Sequence, residues 1–250
     1  MEVSNNIIKW VYSLSQKKNR DKEKCFVAEG SKCVLDTIGN FKVRHLFATE
    51  QWVEAHSDVC HEMLEIVSRR QMDKMSMLKT ASDVMAVYEF KVVPAIEMLD
   101  KKLSLVLDGI QDPGNLGTII RIADWFGIEN VFCSNDTVDV YNPKVVQATM
   151  GAISRVNVRY GSLPQLFQKY PHLPVYATML DGSNLYDADL QNRGFIVMGN
   201  EGKGISEEVA GFANKKLLIP SFPKGAVTSE SLNVGMATAV VVAEFRRRII

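Results

Sequence analysis

The sequence predicts an α/β protein built on a parallel β-sheet, and two observations lead to this fold class. Short apolar runs of strand length recur through residues 103–250, and stretches with helical spacing of apolar residues separate most of them. Strands and helices that alternate in this way are typical of a mainly parallel sheet with helices on both faces. The length of 250 residues suffices for one large domain or two small ones.

Residues 1–92 are predicted to form a small α/β domain of their own. Helical spacing of apolar residues and short apolar runs both occur there. Helices are predicted at 7–14, 34–38 and 72–78, and strands at 25–29, 43–48 and 84–90. Residues 93–102 contain Pro94 and charges of both signs, and they are predicted to be a linker.

Residues 103–250 are predicted to form the larger domain. Its first strand, 103–107, is a nearly continuous apolar run, which is typical of a parallel strand buried on both faces. Further strands are predicted at 130–133, 156–158, 174–177, 194–198 and 216–219, and a last helix at 232–247.

Charge and cysteine content exclude several classes of protein. The chain has 29 basic and 29 acidic residues, which argues against a protein that coats nucleic acid by charge alone. Two local basic clusters remain, at 17–20 and 246–248. The four cysteines are Cys25, Cys33, Cys60 and Cys133. They form no CxxC pair, so we expect reduced thiols, a cytoplasmic protein and no metal site.

We expect neither a membrane segment nor a secretory signal. No apolar run approaches the roughly 18 residues that cross a membrane. The first residues lack a basic region followed by an apolar stretch. The tryptophans Trp10, Trp52 and Trp125 are expected to pack in the core rather than to stack on bases.

Ligands of open α/β sheets bind beyond the carboxyl ends of the strands, so the loops there are the first places to look for chemistry. The loop at 108–117 leads into a helix that begins near Asn115 and Gly117, where free N–H groups favour an anion. Arg121 follows on that helix. A capping asparagine and a solvated arginine would explain the same residues without a function.

Two further loops follow later strands. The loop at 198–206 has three glycines, which let a backbone approach a ligand closely, although a flexible turn would use them too. It is not a P-loop, because Lys203 is followed by Gly204 instead of Ser or Thr. The loop at 219–235 brings Ser231 and Asn233 to a helix rich in small residues, where Ser231 alone would serve as a helix cap.

Together the three loops resemble the three motifs of the SpoU (TrmH) family of RNA ribose methyltransferases. The matching strings are Asn115-x-Gly117-x-x-x-Arg121-x-Ala123, Gly199-Asn200-Glu201-Gly202, and Ile219-Pro220 with Ser231-Leu232-Asn233-Val234. The resemblance covers 103–248. Residues 1–92 are similar to the small ribosomal-protein-like, substrate-binding domain that often precedes the family's catalytic domain. This sequence departs from the family in a longer stretch at 222–228 and in Gly235, where serine is frequent.

The resemblance implies a fold, a cofactor and partners. The fold is a SPOUT-type parallel sheet with a C-terminal deep trefoil knot, which forms a homodimer through the knotted domain. The cofactor is S-adenosyl-L-methionine, and the substrate is tRNA or rRNA rather than DNA. The implied cofactor contacts are Thr178, Met179, Gly199, Ile219 and Leu232. The implied catalytic residues are Arg121, Asn115, Glu201, Ser231 and Asn233, and the implied RNA contacts are Lys17, Lys18 and Arg20.

The role of Arg121 is open between two possibilities. A guanidinium stays protonated in proteins, so we expect Arg121 to grip a phosphate and stabilise the developing alkoxide rather than act as a base. Two other functions compete with methyl transfer. One is a non-catalytic RNA-binding protein that retains the fold. The other is a Rossmann-type nucleotide-binding enzyme, which the absence of GxGxxG after the strand at 103–107 disfavours.

Overall fold

The structure is a computed structural model that describes residues 3–59, 61–223, 227 and 229–249. It divides into two compact units. The first comprises the described residues of Met1–Val92 together with Asp139–Ser154, and the second those of Val93–Val138 and Arg155–Ile250. The segment Asp139–Ser154 therefore packs with the first unit, although it lies beyond residue 103 in the sequence.

Helices and strands alternate along most of the described chain. In the first ninety residues they are α1 (Asn5–Ser13), α2 (Lys17–Glu23), β1 (Cys25–Glu29), α3 (Ser31–Thr37), β2 (Val43–Ala48), α4 (Glu50–Ala55), β3 (Leu64–Ile66), α5 (Arg69–Met75) and β4 (Val84–Glu89). They continue with β5 (Leu103–Asp108), α6 (Pro113–Trp125), β6 (Asn130–Cys133), α7 (Pro143–Thr149), β7 (Asn157–Tyr160), α8 (Leu163–Lys169), β8 (Val175–Asn184), β9 (Gly194–Gly199), α9 (Glu207–Ala210), β10 (Lys215–Leu218) and α10 (Val234–Arg247). Single turns of 3-10 helix lie at Leu99–Lys101 and Ala152–Ser154.

The first unit is a four-stranded mixed sheet with the order β1-β4-β2-β3. Strand β4 runs antiparallel to β1 and β2, whereas β3 runs parallel to β2. The apolar faces of α1 and α5 cover one side of this sheet, with Ile8, Val11, Met72 and Met75 buried against it. Helix α5 begins at a capping box in which Ser68 and Gln71 satisfy each other's backbone N–H groups.

Segment 139–154 is held in the first unit by rings and polar contacts. The Tyr141 ring stacks on Phe90 with centroids 4.2 Å apart, and its hydroxyl accepts a hydrogen bond from the Lys91 N–H at 3.0 Å. The Asp139 carboxylate pairs with Arg20 at 2.7 Å. Apolar side chains of α7, Val145 among them, are also buried.

The second unit confirms the predicted parallel sheet. Six strands follow the order β10-β8-β9-β5-β6-β7, and every pair of neighbours is parallel. The central strand β5 is buried along its whole length, as expected for a strand covered on both faces. Helix α10 packs against α6, and Gly235 permits this approach because a Cβ there would lie 3.1 Å from the Thr118 side chain.

Some predicted elements differ in extent from those in the structure. Strand β8 continues seven residues beyond 177, because after a register shift its end pairs again with β10, where Leu217 lies opposite Ser183. Helix α5 lies earlier than predicted and ends at Ser76, whose backbone is extended. The short elements α2, α4 and β3 were not predicted, since too few residues carry their periodicity. No helix among the described residues is long and apolar enough to cross a membrane.

Candidate active site at the carboxyl edge of the parallel sheet

The first motif loop connects β5 to α6. Gly109 directly follows β5 with a φ of 70°, a conformation that favours glycine. Helix α6 begins at Asp112, whose side chain accepts a hydrogen bond from the Asn115 N–H at 2.8 Å, and Pro113 fills the first helical position. The cap of α6 therefore lies three residues before Asn115, the residue that the sequence suggested as its cap.

Asn115 joins the other two motif loops. Its side-chain amide donates a hydrogen bond to the Glu201 carboxylate, and its carbonyl oxygen accepts one from the Asn233 amide at 2.9 Å. Asn115 thus uses both ends of its amide, one toward the loop after β9 and one toward the start of α10. The structure brings these three predicted catalytic residues into one hydrogen-bonded chain.

The second motif loop is a tight turn closed on itself. Asn200 and Gly204 exchange backbone hydrogen bonds of 2.9 and 2.8 Å. The Asn200 side chain accepts from the N–H groups of Gly202 and Lys203, and its amide donates to the Gly109 carbonyl at 2.8 Å. A Cβ at Gly199 would lie 2.4 Å from the Gly204 backbone, so only glycine fits there. These contacts fix the loop that carries Glu201.

The third motif loop starts α10 with Asn233. Its side-chain oxygen accepts from the N–H groups of Gly235 and Met236 at 3.0 and 3.3 Å, which caps the helix. Ser231 is exposed and makes no side-chain hydrogen bond to any residue that the structure describes. The stretch at 222–228 that departs from the family lies partly outside the described residues.

Arg121 lies on α6 with its side chain exposed. None of the residues in the described ranges forms an ion pair or hydrogen bond with its guanidinium, so that group is available for an anion. Trp125 follows one helical turn later and is 85% exposed, which makes the expectation that it packs in a core wrong. Packing in a core is confirmed for Trp52, which is 4% exposed, whereas Trp10 is only half-buried.

The residues implied in cofactor binding gather at one edge of the sheet. Strands β10, β8 and β9 are neighbours. Ile219 directly follows β10, Gly199 ends β9, and Thr178 with Met179 lie within β8, just beyond the residues that pair with β9. The Thr178 hydroxyl donates to the Val197 carbonyl at 2.9 Å, which ties β8 to β9. All four are partly exposed, and Leu232 is half exposed beyond them. Partly exposed backbone and apolar side chains suit a flat apolar ring bound through backbone groups.

A further cluster follows β6, the other neighbour of β5. The Ser134 hydroxyl accepts from the Gly109 N–H at 2.8 Å and donates to Asp136 at 2.5 Å. Thr137 lies 3.0 Å from Ser134 and donates to the Leu107 carbonyl. The Gly109 peptide is thus held on its N–H side by Ser134 and on its carbonyl side by Asn200. Sequence reasoning missed this cluster, although the predicted strand at 130–133 marked where to look.

The predicted RNA contacts of the first unit are not equivalent. Lys17 pairs with Asp21 at 2.7 Å on an exposed surface, and Lys18 is exposed without a partner in the described chain. Arg20 is only 1% exposed; besides Asp139 it donates to the carbonyls of Leu14 and Ser15, both at 2.8 Å. Arg20 therefore holds the unit together, and its guanidinium does not face solvent.

The arginines at 246–248 are likewise not a free basic surface. Arg247 and Arg248 both bond to Glu244, and Arg248 also donates to the carbonyls of the 185–188 segment. The hydrogen bond from Arg247, helped by Arg248, lowers the pKa of the Glu244 carboxyl to about 2. Arg246 donates to the Phe126 carbonyl at the end of α6. These contacts hold the C-terminal end of α10 in place.

Cysteines and other metal-ligating side chains form no further site in the part of the chain that the structure describes. Cys25, Cys33 and Cys133 are buried and free, and burial raises the pKa of the Cys33 thiol to about 11. Within the same residues, no group of three or more His, Cys, Asp or Glu is placed to hold a metal ion. Cys60 lies outside the described residues.

Side-chain amides join three loops at the carboxyl edge of this parallel sheet, which is the edge where open α/β sheets generally bind their ligands. The chain belongs to the SpoU rRNA methylase family, whose model matches residues 102–243. A model of the MRM3-like substrate binding domain matches residues 5–86. Both matches confirm the resemblance drawn from the motifs.

Relatives and solved structures extend over nearly the whole chain. The 23S rRNA (guanosine(2553)-2′-O)-methyltransferase RlmP of Bacillus subtilis is 27% identical, over 93% of each chain. A structure from Porphyromonas gingivalis, assigned to the TrmH family of RNA methyltransferases, has a TM-score of 0.87 at 38% identity and covers 98% of this chain and 99% of its own. An AdoMet-bound rRNA methyltransferase from Sinorhizobium meliloti has a TM-score of 0.84 at 28% identity, covering 100% of this chain and 98% of its own.

Proposed function

We propose that this protein transfers a methyl group from S-adenosylmethionine to a ribose 2′-hydroxyl of a structured RNA, either tRNA or rRNA. The observation that carries the proposal is the hydrogen-bonded chain from Glu201 through Asn115 to Asn233. It joins the three family motifs around α6, the helix that carries Arg121, whose guanidinium has no partner among the described residues. RlmP of Bacillus subtilis, named for 2′-O-methylation of 23S rRNA, supports the ribose as acceptor.

S-adenosylmethionine is proposed to bind where β9 and β10 end, beside the middle of β8. Thr178, Met179, Gly199, Ile219 and Leu232 would hold it, and their partly exposed backbone and apolar surface fits an adenosine moiety. The AdoMet-bound structure from Sinorhizobium meliloti, 28% identical, supports the same choice. The C-terminal trefoil knot belongs to this proposal, supported by the fold similarity to the TrmH-family structure.

The residues of the chain have to place and activate the acceptor oxygen. The cofactor supplies a methyl group that is already activated by its sulfonium charge. Arg121 would bind the phosphate next to the target ribose and stabilise the alkoxide that develops as the 2′-hydroxyl loses its proton. Glu201 has one carboxylate oxygen bound to Asn115, and the other takes no hydrogen bond from a described residue. That free oxygen would accept the proton through water, while Ser231 and Asn233 order the site.

A homodimer through the second unit is part of the proposal. Trp125 on α6, Met236 at the start of α10 and Leu232 before it are 85%, 63% and 50% exposed. Large apolar side chains at the surface of an α/β unit are typical of an interface. A cytoplasmic location is proposed on the bacterial rRNA-modifying relatives. Light scattering of the purified chain tests the dimer, and a monomeric mass at micromolar concentration would contradict it.

The test of the activity uses the purified chain, labelled S-adenosylmethionine and the host's rRNA and tRNA. The expected result is label in 2′-O-methylated nucleosides after digestion and mass spectrometry. Arg121→Lys should keep measurable activity if the guanidinium acts by charge, and the matched control Arg70→Lys, on the exposed side of α5, should match the wild type. A residual activity of Arg121→Lys that rises steeply with pH would instead support the base role.

The alternative is a non-catalytic RNA-binding protein that keeps the fold. Calorimetric titration with S-adenosylmethionine separates the two functions. Micromolar binding supports the enzyme, and binding of RNA without any binding of S-adenosylmethionine would overturn it.

A further inference from the structure

The first unit presents an arginine that lies over a tryptophan ring. Arg44 sits at a register shift between Val43 and His45 in the pairing of β2 with β4. An irregularity of this kind re-aims a side chain. The Arg44 guanidinium carbon lies 5.0 Å from the centroid of the Trp10 ring. Arg44 is exposed and Trp10 half-buried, so the tryptophan supports the guanidinium from the protein side.

Neighbouring groups hold this pair in place. Arg44 donates to the Cys25 sulfur at 3.3 Å and to the Glu23 carbonyl at 3.5 Å. The edge of the His45 ring packs on Trp10 with centroids 5.5 Å apart. No carboxylate of the described residues lies within ion-pair distance of Arg44. The charges of Glu23 and Glu89 act on Arg44 from beyond ion-pair distance. The result is an oriented, positively charged plane at the surface without a carboxylate in direct contact.

The chain next to Arg44 is locally basic, although the protein as a whole has no net charge. The contact with the Glu23 carbonyl places the end of α2 beside Arg44. Helices α1 and α2 and the residues that follow them carry five exposed lysines against two acidic residues. The lysines are Lys9, Lys17, Lys18, Lys22 and Lys24, and the acidic residues are Asp21 and Glu23. A surface of this charge attracts a polyanion.

The opposite end of β2 is less suited to RNA. The cleft there is lined by Glu50, Arg69 and Asp83, together with uncharged residues. Its one cation in the described lining is Arg69, which already pairs with Asp73 at 3.1 Å and Asp83 at 2.9 Å. A phosphate would meet more negative than free positive charge in that cleft.

We propose that Arg44, supported by Trp10, stacks on an unpaired base of the RNA substrate while the lysines of α1 and α2 contact its phosphates. Guanidinium planes stack on bases that are splayed out of single-stranded RNA, and lysines bind phosphates without sequence preference. The inference rests on the proposed function, because it takes RNA as the substrate. It assigns to Arg44 the RNA contact that the buried Arg20 cannot make.

The test measures binding of a fluorescein-labelled, 20-nucleotide, mixed-sequence single-stranded RNA to the full chain by anisotropy. Loss of one stacked base weakens binding by about 1–3 kcal/mol, so Arg44→Gln should raise Kd about tenfold. Arg44→Lys keeps the charge but not the plane, and should also weaken binding while leaving the salt dependence unchanged. Lys18→Gln should lower the slope of log Kd against log salt by about one. The matched control is Arg70→Gln on α5.

The outcomes separate this inference from the methyltransferase proposal. Each variant is also titrated with S-adenosylmethionine, and its affinity should equal that of the wild type because Arg44 belongs to the first unit. An Arg44→Gln chain that binds RNA within about twofold of the wild type overturns the inference, as does an equal loss in Arg70→Gln. If Arg44→Gln weakens RNA binding while the wild type does not bind S-adenosylmethionine, the inference about Arg44 is supported and the methyltransferase proposal is overturned.

Discussion

Asn115→Asp is the substitution that tests most directly whether the three motif loops act as one site. It preserves the shape of the side chain and the oxygen that accepts from Asn233. It replaces the amide that donates to Glu201 with a second carboxylate oxygen. The change therefore removes one hydrogen bond and places two negative charges in contact, with little effect on packing.

The expected free-energy cost of Asn115→Asp follows from the lost hydrogen bond and from the repulsion between the two carboxylates. A hydrogen bond to a charged acceptor contributes about 1.5–3 kcal/mol, and two carboxylates about 4 Å apart in a water-exposed setting repel by about 1 kcal/mol. Asn115 is partly exposed and Glu201 is exposed, so screening by solvent lowers the summed cost from about 2.5–4 kcal/mol to about 2–3 kcal/mol. If the cost falls on the transition state, kcat drops about 30- to 150-fold.

The assay measures kcat at saturating RNA and S-adenosylmethionine, with cofactor affinity and Tm recorded in parallel. The double variant Asn115→Asp with Glu201→Gln exchanges the amide and the carboxylate. It restores a donor and an acceptor across the pair while the acceptor for Asn233 is retained. We expect it to recover most of the lost kcat, which a double-mutant cycle expresses as a coupling energy.

A double variant that is no faster than Asn115→Asp alone would refute the reasoning. Such a result would mean that the Glu201 carboxylate is needed for the chemistry itself rather than for holding Asn115. A fall in Tm of the single variant that accounts for its lost activity would also contradict a role in the site.

Three further predictions concern stability. The lowered pKa of Glu244 gives stability that is full above its ordinary value of 4.5 and is lost as pH falls toward about 2. Glu244→Gln should therefore lower Tm at neutral pH, and the difference should shrink below pH 4.5 in calorimetric scans. Arg20→Met leaves the partly buried Asp139 carboxylate and the carbonyls of Leu14 and Ser15 without their partner, and it should cost about 3–5 kcal/mol in urea unfolding. Gly182→Ala places a Cβ 2.6 Å from the Leu217 backbone and should cost about 1–3 kcal/mol in the same assay.

Each of these predictions has a matched control. Glu207→Gln, on the exposed start of α9, should show no comparable pH-dependent difference. Lys18→Met tests whether loss of a positive charge near Arg20 is enough by itself to destabilise the protein. It should change the free energy of unfolding by less than about 0.5 kcal/mol. Gly39→Ala adds a methyl group where nothing lies within 4 Å. If a control variant loses as much stability as the variant it is matched to, the contact invoked for that variant is contradicted.

The parts of the site that could be predicted are those that local sequence determines. Asp112 and Pro113 are the cap and the first residue of α6, a local signal from which the helix start could have been predicted in place of the cap at Asn115. Apolar runs place the strand ends, and parallel strands bring their ends to one edge. For this reason the three motif loops were predicted to share one edge of the sheet before any coordinates.

The parts that could not be predicted depend on partners far away in the sequence. Arg20 resembles a surface residue in a basic run, yet its partner Asp139 is 119 residues away. The packing of 139–154 with the first unit depends on Tyr141 meeting Phe90, which no periodicity encodes. Arg248 similarly meets carbonyls that lie 60 to 63 residues earlier. A charge run gives the composition of a segment and not the partners of its side chains, so the run at 17–20 could not separate the buried Arg20 from the exposed Lys17 and Lys18.

Asn233 shows why residue type and position in this site are tied together. Its oxygen caps α10, and its amide nitrogen holds Asn115. Aspartate would cap the helix equally well but offers no donor to Asn115, and serine has one hydroxyl for both tasks. An amide side chain at this position therefore starts the last helix and aligns the first motif at once. Asn115, held by Asn233, in turn holds the Glu201 carboxylate through its own amide. The positions of all three side chains are therefore set by the folding of the helices that meet there.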